Sequence, residues 1–217
     1  MTTWILTLYN KPDYVQEAIR SVEQQTRTDL VHIVRPDTYR SWDGRYPPAV
    51  AYNEWALEVP VQDYVCWLSD DDLLLPNYVA DLAGYLDGHA EAECVYGGSY
   101  HVAAPLDAPE RLLRNLPEEQ PFPIFNAQKT PGYKIDGGQF LIRRSALERV
   151  PYPYYPEGSE TARSCDAHYM NKLVAFNVLM YPVAAFVLKN RATPKSGHVA
   201  VDAQGGVYTR DWRALRR

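Results

Sequence analysis

The apolar positions in the first half of the chain alternate between two spacings, which predicts strands alternating with helices. A buried strand is predicted for TWILTLYN, which begins at Thr3, and Val15, Ile19 and Val22 fall on one face of a helix that starts near Pro12. Further strands are predicted for LVHIVRP, YVCWLSD and AECVYGGSYHV, with helices around PAVAYNEWALEV and LPNYVADLAGYLDG between them. Successive βαβ units of this spacing predict an α/β fold with a mainly parallel central sheet and helices on both faces.

Prolines interrupt this pattern between residues 104 and 134, where we expect the chain to run over the surface. The pattern returns with a strand and a helix in GGQFLIRRSALERV, a helix in CDAHYMNKLVAF and a strand in VLMYPVAAFVL. No internal repeat, low-complexity tract or linker divides the sequence. We therefore expect a single domain that spans residues 1–217.

Composition and charge limit the partners and the cellular compartment that the sequence predicts. The net charge of -5 and the pI near 5.5 give no electrostatic footprint for nucleic acid, although the basic tail TRDWRALRR leaves an anionic partner open. The longest apolar runs contain proline and are shorter than the roughly 20 residues that cross a bilayer. No secretory leader is apparent, so we expect a cytoplasmic protein without a membrane span. Three widely separated cysteines, Cys66, Cys94 and Cys165, predict small buried residues rather than disulfides or a thiolate metal site.

Three adjacent carboxylates, Asp70, Asp71 and Asp72, follow the third predicted strand directly. Ligands of open parallel sheets bind beyond the carboxyl ends of the strands, and alternation along an extended backbone directs Asp70 and Asp72 to the same side. Carboxylates suit Mg²⁺ or Mn²⁺, which usually takes one or two protein carboxylates and completes its shell with phosphate oxygens and water. This pattern indicates a phosphorylated ligand. The competing interpretation is that the aspartates only charge and cap the start of the following helix.

Several stretches together resemble glycosyltransferase family 2 in their order and spacing. They are TLYNKPDYVQEAIRSVEQQT, AYNEWA, WLSDDDLLLPNYV, GGQFLIRRSALERV and CDAHYMNKL. The resemblance implies a GT-A (Rossmann-like) fold and an inverting transfer from a nucleotide-diphosphate sugar, with a UDP-sugar as the expected donor, to an acceptor hydroxyl. It also implies a donor-binding and metal-binding half in residues 1–103 and an acceptor-binding and catalytic-base half in residues 104–217.

The resemblance assigns roles to two groups of acids. The aspartate stretch corresponds to the D-x-D motif that holds the metal on the donor diphosphate, so Asp70 and Asp72 are the expected ligands of Mn²⁺ or Mg²⁺, with Asp72 the direct one. The family's catalytic base lies second in a Glu-Asp pair that opens a late helix, and this chain has Cys165 followed by Asp166. Asp166 is therefore the expected general base. An ordinary acid at a helix N-terminus is the alternative, with Glu157 and Glu160 as competing bases.

The nucleotide pocket is predicted from the ends of the first two strands. By the same resemblance, Thr7, Tyr9 and Asn10 line the base and ribose, and Asp37 replaces the acids that family members carry after the second strand. A turn-forming role explains Asp37 equally well. Arg45 or Asn53 is expected to reach the ribose or diphosphate. The complete set of expected donor-binding residues is Thr7, Tyr9, Asn10, Asp37, Arg45, Asn53, Asp70, Asp71 and Arg191.

The late sequence adds four open assignments. The stretch KNRATPKSGHVA resembles the region where GT-A enzymes supply a late histidine or basic residue, so His198 is a candidate third metal ligand. Arg191 and Lys195 are candidates for holding phosphate oxygens. Close approach of a sugar or a β-bulge explains the glycines in DGGQF, Gly137 and Gly138. An acceptor platform or simple loop packing explains Tyr152, Tyr154 and Tyr155, and packing is slightly favoured.

Two other function classes compete with the transferase. A nucleotidyltransferase or sugar-phosphate pyrophosphorylase would be expected to carry a glycine-rich, basic phosphate loop after the first strand, and LYNKPDYV contains none. A non-catalytic nucleotide-sugar binder would retain donor binding without Asp166 and turn over no acceptor. The acceptor itself, a glycan or another hydroxyl compound, is left open by the sequence.

Overall fold

The structure is a computed structural model that describes residues 1–37, 47–104, 111–116, 135–154, 165–193, 199–201 and 207–209. Its first half alternates strands and helices, as the apolar spacing predicts, and Pro12 lies in the first turn of the first helix. The elements are β1 (Thr3–Tyr9), α1 (Pro12–Glu23), β2 (Leu30–Pro36), α2 (Pro47–Glu58), β3 (Tyr64–Trp67), β4 (Leu73–Leu74), α3 (Tyr78–Gly88) and β5 (Cys94–Ala103).

The second half contains strands that the sequence did not predict, namely β6 and the β9–β10 hairpin. Strand β6 pairs with β5 inside the proline-rich region that was expected to be irregular. A short 3-10 turn, Gly137–Gln139, then leads into the predicted strand and helix pair. The elements are β6 (Arg111–Leu116), β7 (Phe140–Arg143), α4 (Arg144–Arg149), α5 (Cys165–Ala175), β8 (Met180–Ala192), β9 (Val199–Val201) and β10 (Val207–Thr209).

The central sheet is mixed, which corrects the expectation of a mainly parallel sheet. Its strand order is β2-β1-β3-β7-β5-β8-β4, with β6 paired to β5, and β9 and β10 form a separate hairpin. Strands β1, β2, β3, β5 and β8 run in one direction, as βαβ connections require, whereas β4, β6 and β7 run against them. The prediction was wrong because β7 inserts between β3 and β5, and no local pattern in the sequence reports that placement.

Two apolar cores lie on opposite faces of the sheet. Successive strand residues point to alternate faces, so Val65 and Trp67 of β3 join one core while Cys66 joins the other. Helices α2, α4 and α5 cover the first core, and α1 and α3 cover the second. The strand ends that carry the candidate site are thereby fixed by packing on both sides.

Cysteine placement agrees with the sequence for the two thiols that are described. Cys66 and Cys94 are buried and free, and burial raises the pKa of the Cys66 thiol to about 12. The side chain of Cys165 lies outside the described residues. Among the helices within the described ranges, none is long and apolar enough to span a membrane.

Candidate active site

The acidic turn, which we define as Asp70, Asp71 and Asp72, lies at the carboxyl end of β3 and is buried. The three residues are only 3%, 6% and 4% exposed. Like charges at this spacing need compensation when water is excluded. The structure supplies it from two directions, through Lys11 at the end of the neighbouring strand β1 and through Arg191 at the end of β8.

The first aspartate of the turn is held by nitrogen donors from the junction between β1 and α1. Oδ2 of Asp70 accepts hydrogen bonds of 2.7 Å from the backbone N–H groups of both Asn10 and Lys11. The Lys11 ammonium lies 2.9 Å from Oδ1 of Asp70 and 3.2 Å from Oδ2 of Asp71. Burial opposes the charge of Lys11, but its contacts with Asp71 and Asp70 outweigh burial and raise its pKa. Sequence reasoning missed Lys11.

The last aspartate of the turn has a different environment. Oδ1 of Asp72 accepts a hydrogen bond of 2.8 Å from the backbone N–H of Arg191, and Oδ2 accepts one of 3.2 Å from the Asn190 side chain. Burial, followed by the negative charge of Asp71, raises the pKa of Asp72 well above its usual value, and Asp136 adds to this effect. The turn therefore places a carboxylate where its negative charge is poorly compensated by the protein.

The side chain of Arg191 contacts the acidic turn and is only 3% exposed. Its Nε donates to the backbone carbonyl of Asp71, its guanidinium pairs with Glu17 of α1, and it lies 5.2 Å from the centre of the Tyr14 ring. Thr193 adds a contact of 3.3 Å to Oδ2 of Asp71. These contacts of Arg191 are with protein groups, and its expected role in holding phosphate oxygens stays a prediction.

The donor set fits a divalent cation that takes few ligands from the protein. Within the ranges that the structure describes, no group of three or more His, Cys, Asp or Glu side chains converges on one point, so a cation held entirely by protein is not indicated. The donors to Asp70 include the Lys11 ammonium, whereas those to Asp72 are one backbone N–H and one neutral amide, and burial together with the charge of Asp71 raises the pKa of Asp72. One protein carboxylate, completed by phosphate oxygens and water, is typical of Mg²⁺ sites. The proposed third ligand His198 lies outside the described residues.

The ends of β1 and β2 bring together three of the residues predicted to bind the nucleotide. The backbone N–H of Asp37 donates to the carbonyl of Tyr9 at 2.7 Å, and the Asn10 amide lies 3.3 Å from Oδ2 of Asp37. The backbone N–H of Asn10 in turn binds Asp70. Tyr9, Asn10 and Asp37 therefore form one edge that adjoins the acidic turn.

Two other residues of that predicted set serve contacts inside the protein. Thr7 is fully buried, and its hydroxyl is 2.9 Å from Nε2 of His32 on β2. Both polar atoms of the Asn53 amide, on α2, bind the backbone of Tyr152 at 2.9 Å. For these side chains the described contacts are internal rather than directed at an open edge. Arg45 lies outside the described residues.

Asp166 lies in the first turn of α5 and is half-buried. Its Oδ2 accepts a hydrogen bond of 3.1 Å from the backbone N–H of Gly137, and its Oδ1 accepts one of 2.5 Å from the Tyr152 hydroxyl. The competing bases Glu157 and Glu160 lie outside the described residues. Asp166 is therefore a carboxylate with a defined orientation.

The glycines of DGGQF have a packing role that neither earlier interpretation included. A Cβ at position 137 would lie 3.3 Å from the Asp166 carboxylate oxygens, and one at position 138 would lie 2.9 Å from a methyl group of Leu188. Glycine leaves room here because the turn passes closely over Asp166 and Leu188.

Asp136 and His101 are further residues of the site that sequence reasoning missed. The Asp136 carboxylate is 42% exposed, lies 3.6 Å from Nε2 of His101 and acts electrostatically on Asp72. A capping box with Gln139 fixes the Asp136 backbone, and the next residue is the glycine that binds Asp166. Asp136 thus acts electrostatically on the acidic turn, and the residue after it binds Asp166. The acid before the double glycine, three residues from a glutamine, was the available signal.

The tyrosines of the loop after α4 have separate environments. Tyr152 is buried among aromatic rings, which agrees with the packing interpretation, whereas Tyr154 is half-exposed. Tyr155 and the phosphate-binding candidate Lys195 lie outside the described residues.

Comparison with known proteins shows the fold. No protein-family model matches the chain. The structure is similar to Staphylococcus aureus TarS 1-349 in complex with UDP, with 14% sequence identity over 89% of this chain and a TM-score of 0.61. It is also similar to TarS 1-349 with UDP-GlcNAc (13% identity over 91% of this chain, TM-score 0.63) and to GalNAc-T7 with UDP, GalNAc and Mn²⁺ (13% over 88%, TM-score 0.54).

The match extends over most of this chain but only part of each neighbour. It covers 61% and 60% of the two TarS 1-349 chains and 44% of the GalNAc-T7 chain. These neighbours are glycosyltransferases, and their likeness to this chain shows a mixed α/β fold similar to GT-A glycosyltransferases.

Proposed function

We propose that this chain is a nucleotide-sugar-dependent glycosyltransferase of the family 2 type, which transfers a sugar to an acceptor hydroxyl with inversion of configuration. One observation carries the proposal: Asp136 acts electrostatically on Asp72 of the acidic turn, and the backbone N–H of the next residue, Gly137, binds Asp166. This supports assigning the carboxylate suited to a cation and the carboxylate suited to proton transfer to one site. GT-A-like neighbours that bind UDP, UDP-GlcNAc and Mn²⁺ make a UDP-sugar the first donor to test.

The donor would bind along the edge formed by Tyr9, Asn10 and Asp37, with its diphosphate toward the acidic turn. Asp72 would be the direct ligand of Mn²⁺ or Mg²⁺, and Asp70 would fix the β1–α1 junction that borders the diphosphate. When bound, the cation would neutralise the charge that develops on the leaving diphosphate.

Asp166 would accept the proton of the acceptor hydroxyl as that oxygen bonds to the sugar carbon. A hydroxyl is a weak nucleophile at neutral pH, so a positioned base increases the rate. In an inverting displacement the acceptor and the leaving diphosphate lie on opposite faces of the sugar ring. Asp136 acts electrostatically on Asp72 and lies 3.6 Å from His101, and we assign Asp136 and His101 to contacts with the transferred sugar or the acceptor.

Thermal denaturation with nucleotides and metal tests the donor site. UDP with Mn²⁺ should raise the melting temperature of the wild-type chain, because a ligand bound only by the native state stabilises it according to its concentration relative to Kd. Asp72→Asn should abolish that shift. Equal shifts in the two proteins would remove Asp72 from the site.

Product analysis tests the reaction. NMR of the product formed from an α-linked UDP-sugar should show a β linkage, and Asp166→Asn should lose turnover while it keeps the UDP-dependent thermal shift. Retained configuration would contradict the inverting assignment. Donor binding without turnover of any acceptor would identify a nucleotide-sugar binder instead.

A further inference from the structure

Asp166 is held from two sides by residues that are distant from it in the sequence. Gly137 donates its backbone N–H to Oδ2, and Tyr152 donates its hydroxyl to Oδ1. These donors belong to separate segments, the 3-10 turn before β7 and the loop after α4. Because each oxygen has its own donor, rotation of the carboxylate would break both hydrogen bonds at once.

The backbone of Tyr152 is fixed by a single side chain on α2. The N–H of Tyr152 donates to Oδ1 of Asn53, and the Asn53 amide donates back to the carbonyl of Tyr152, both at 2.9 Å. A residue with both backbone polar groups bonded to one rigid amide has little freedom to move.

The ring of Tyr152 is fixed by aromatic packing. Its centroid lies 4.8 Å from that of Tyr169, 5.3 Å from that of Trp67 and 6.0 Å from that of Tyr52. These separations and tilted geometries are favourable for aromatic pairs, and Tyr152 is only 2% exposed. The position of the hydroxyl is therefore set by packing before any substrate binds.

We propose that Tyr152 is a positioning residue for Asp166 and that Asn53 holds Tyr152 in place, so that α2, the loop after α4 and α5 form one scaffold for the proposed base. The inference rests on the proposed function, because it gives this scaffold a role in proton transfer. The two donors hold the two oxygens of Asp166 in one orientation. Fixed orientation matters because misplacement by about 1 Å can cost roughly 100-fold in rate.

The test compares Tyr152→Phe with a matched control, Tyr169→Phe. Tyr169 lies in the same aromatic cluster and loses a comparable buried hydrogen bond, from its hydroxyl to the carbonyl of Val150 at 3.0 Å, but that bond does not involve Asp166. Two properties are measured in each variant. One is the pH dependence of kcat for sugar transfer, and the other is the titration midpoint of the Asp166 carboxyl carbon by NMR, assigned with Asp166→Asn.

Tyr152→Phe should lower kcat by about 10- to 100-fold at an unchanged KM for the donor. It should also move the acid limb of the kcat profile and the NMR midpoint to higher pH, because the charged carboxylate loses a donor. Tyr169→Phe should change neither the acid limb of the kcat profile nor the NMR midpoint. Asn53→Asp, which removes the donor to the Tyr152 carbonyl, should move the midpoint in the same direction by a smaller amount.

An NMR midpoint in Tyr152→Phe equal to that of the wild type would overturn the inference. An equal displacement in Tyr169→Phe would do so as well, because it would show a general effect of loosened packing. The midpoint is measured without substrate, so it decides the positioning role independently of catalysis. Full turnover by Asp166→Asn would contradict the proposed function alone.

Discussion

The two ends of the acidic turn carry the same side chain in opposite settings. Asp70 faces the β1–α1 junction and accepts hydrogen bonds from two backbone N–H groups and the Lys11 ammonium. Asp72 faces β8 and accepts one backbone N–H and one neutral amide. Burial and nearby acids raise the pKa of Asp72, so its negative charge is the less well compensated of the two.

This difference separates two tasks that a D-x-D pattern alone does not separate. A carboxylate saturated by N–H donors stabilises the local structure, and a buried carboxylate near other acids favours a bound cation. Alternation along the strand predicts only that Asp70 and Asp72 point the same way. The neighbouring strands decide the rest, since β1 supplies the donors on one side and β8 those on the other.

Asp72→Asn should have the largest effect on function and little cost in stability. We expect activity to fall by about 100-fold or more, because charge stabilisation at the leaving diphosphate is lost. In the absence of metal and donor, the melting temperature should be unchanged or higher, because the substitution removes a buried charge that lies near Asp71 and Asp136. Activity assays and thermal denaturation of the same preparation test both parts.

Asp71→Asn is the control for that comparison, since Asp71 lies in the same turn and also contacts Lys11. If the cation is held by Asp72, this variant should retain the shift in melting temperature produced by UDP and Mn²⁺, whereas a lost shift would support the donor-binding role that the sequence predicts for Asp71. A clear loss of metal-free stability in Asp72→Asn would show that the hydrogen bonds of Asp72 outweigh its electrostatic strain, and the contrast with Asp70 would fail.

Asp70→Asn should show the reverse pattern, with a large loss of stability. The substitution removes the charge of the Asp70 carboxylate, whose Oδ1 lies 2.9 Å from the Lys11 ammonium, and places an amide among N–H donors. We expect the free energy of unfolding to fall by about 2–3 kcal/mol, typical of breaking a buried charged contact. Urea denaturation measures it. A double-mutant cycle with Lys11→Met isolates the pair, and additive effects would contradict their coupling.

Arg191→Met should weaken the protein by a smaller amount, about 2 kcal/mol, because the guanidinium contacts Glu17 and the carbonyl of Asp71. The backbone N–H that binds Asp72 is retained in this variant. Calorimetric titration with UDP and Mn²⁺ should therefore give an affinity within about threefold of the wild type, equivalent to less than 1 kcal/mol. A much weaker affinity would support the direct phosphate contact of Arg191 that the sequence predicts.

Most strands and helices of this fold were predicted because the spacing of apolar residues that marks each of them lies within the element itself. Apolar periodicity identified β1, α1, β2, α2, β3, α3 and β5, and βαβ connections gave the shared direction of the strands they join. The insertion of β7 between β3 and β5 depends on contacts between distant segments, so the mixed sheet could not be derived. The pairing of β6 with β5 was missed for the same reason.

The residues of the candidate site also fall into two groups, those marked by the local sequence and those positioned by contacts between distant segments. The acidic turn was found because its position after a buried strand is a sequence property. Lys11 could have been predicted, because it follows β1 and β1 lies beside β3. Asp136 could not, because it precedes β7 and the pairing of β7 with β3 is not visible in the local sequence. Asn53 and Thr7 were assigned to the nucleotide by analogy, and the structure shows internal partners that no spacing reveals.

Protonation of His32 should produce the smallest of these changes in the free energy of unfolding. Because this change depends on pH, the Asp70 and Asp72 variants are best compared at one fixed pH. Burial lowers the pKa of His32 from its ordinary value of 6.5 to about 4. The unfolded chain therefore binds a proton before the folded one does, and stability falls as pH decreases from about 6.5 toward about 4. Between pH 7 and 5.5 this single group should cost the wild type about 1 kcal/mol. Urea denaturation at both pH values should show that loss reduced by the same amount in His32→Gln, and an equal loss in the two proteins would exclude His32 as its source.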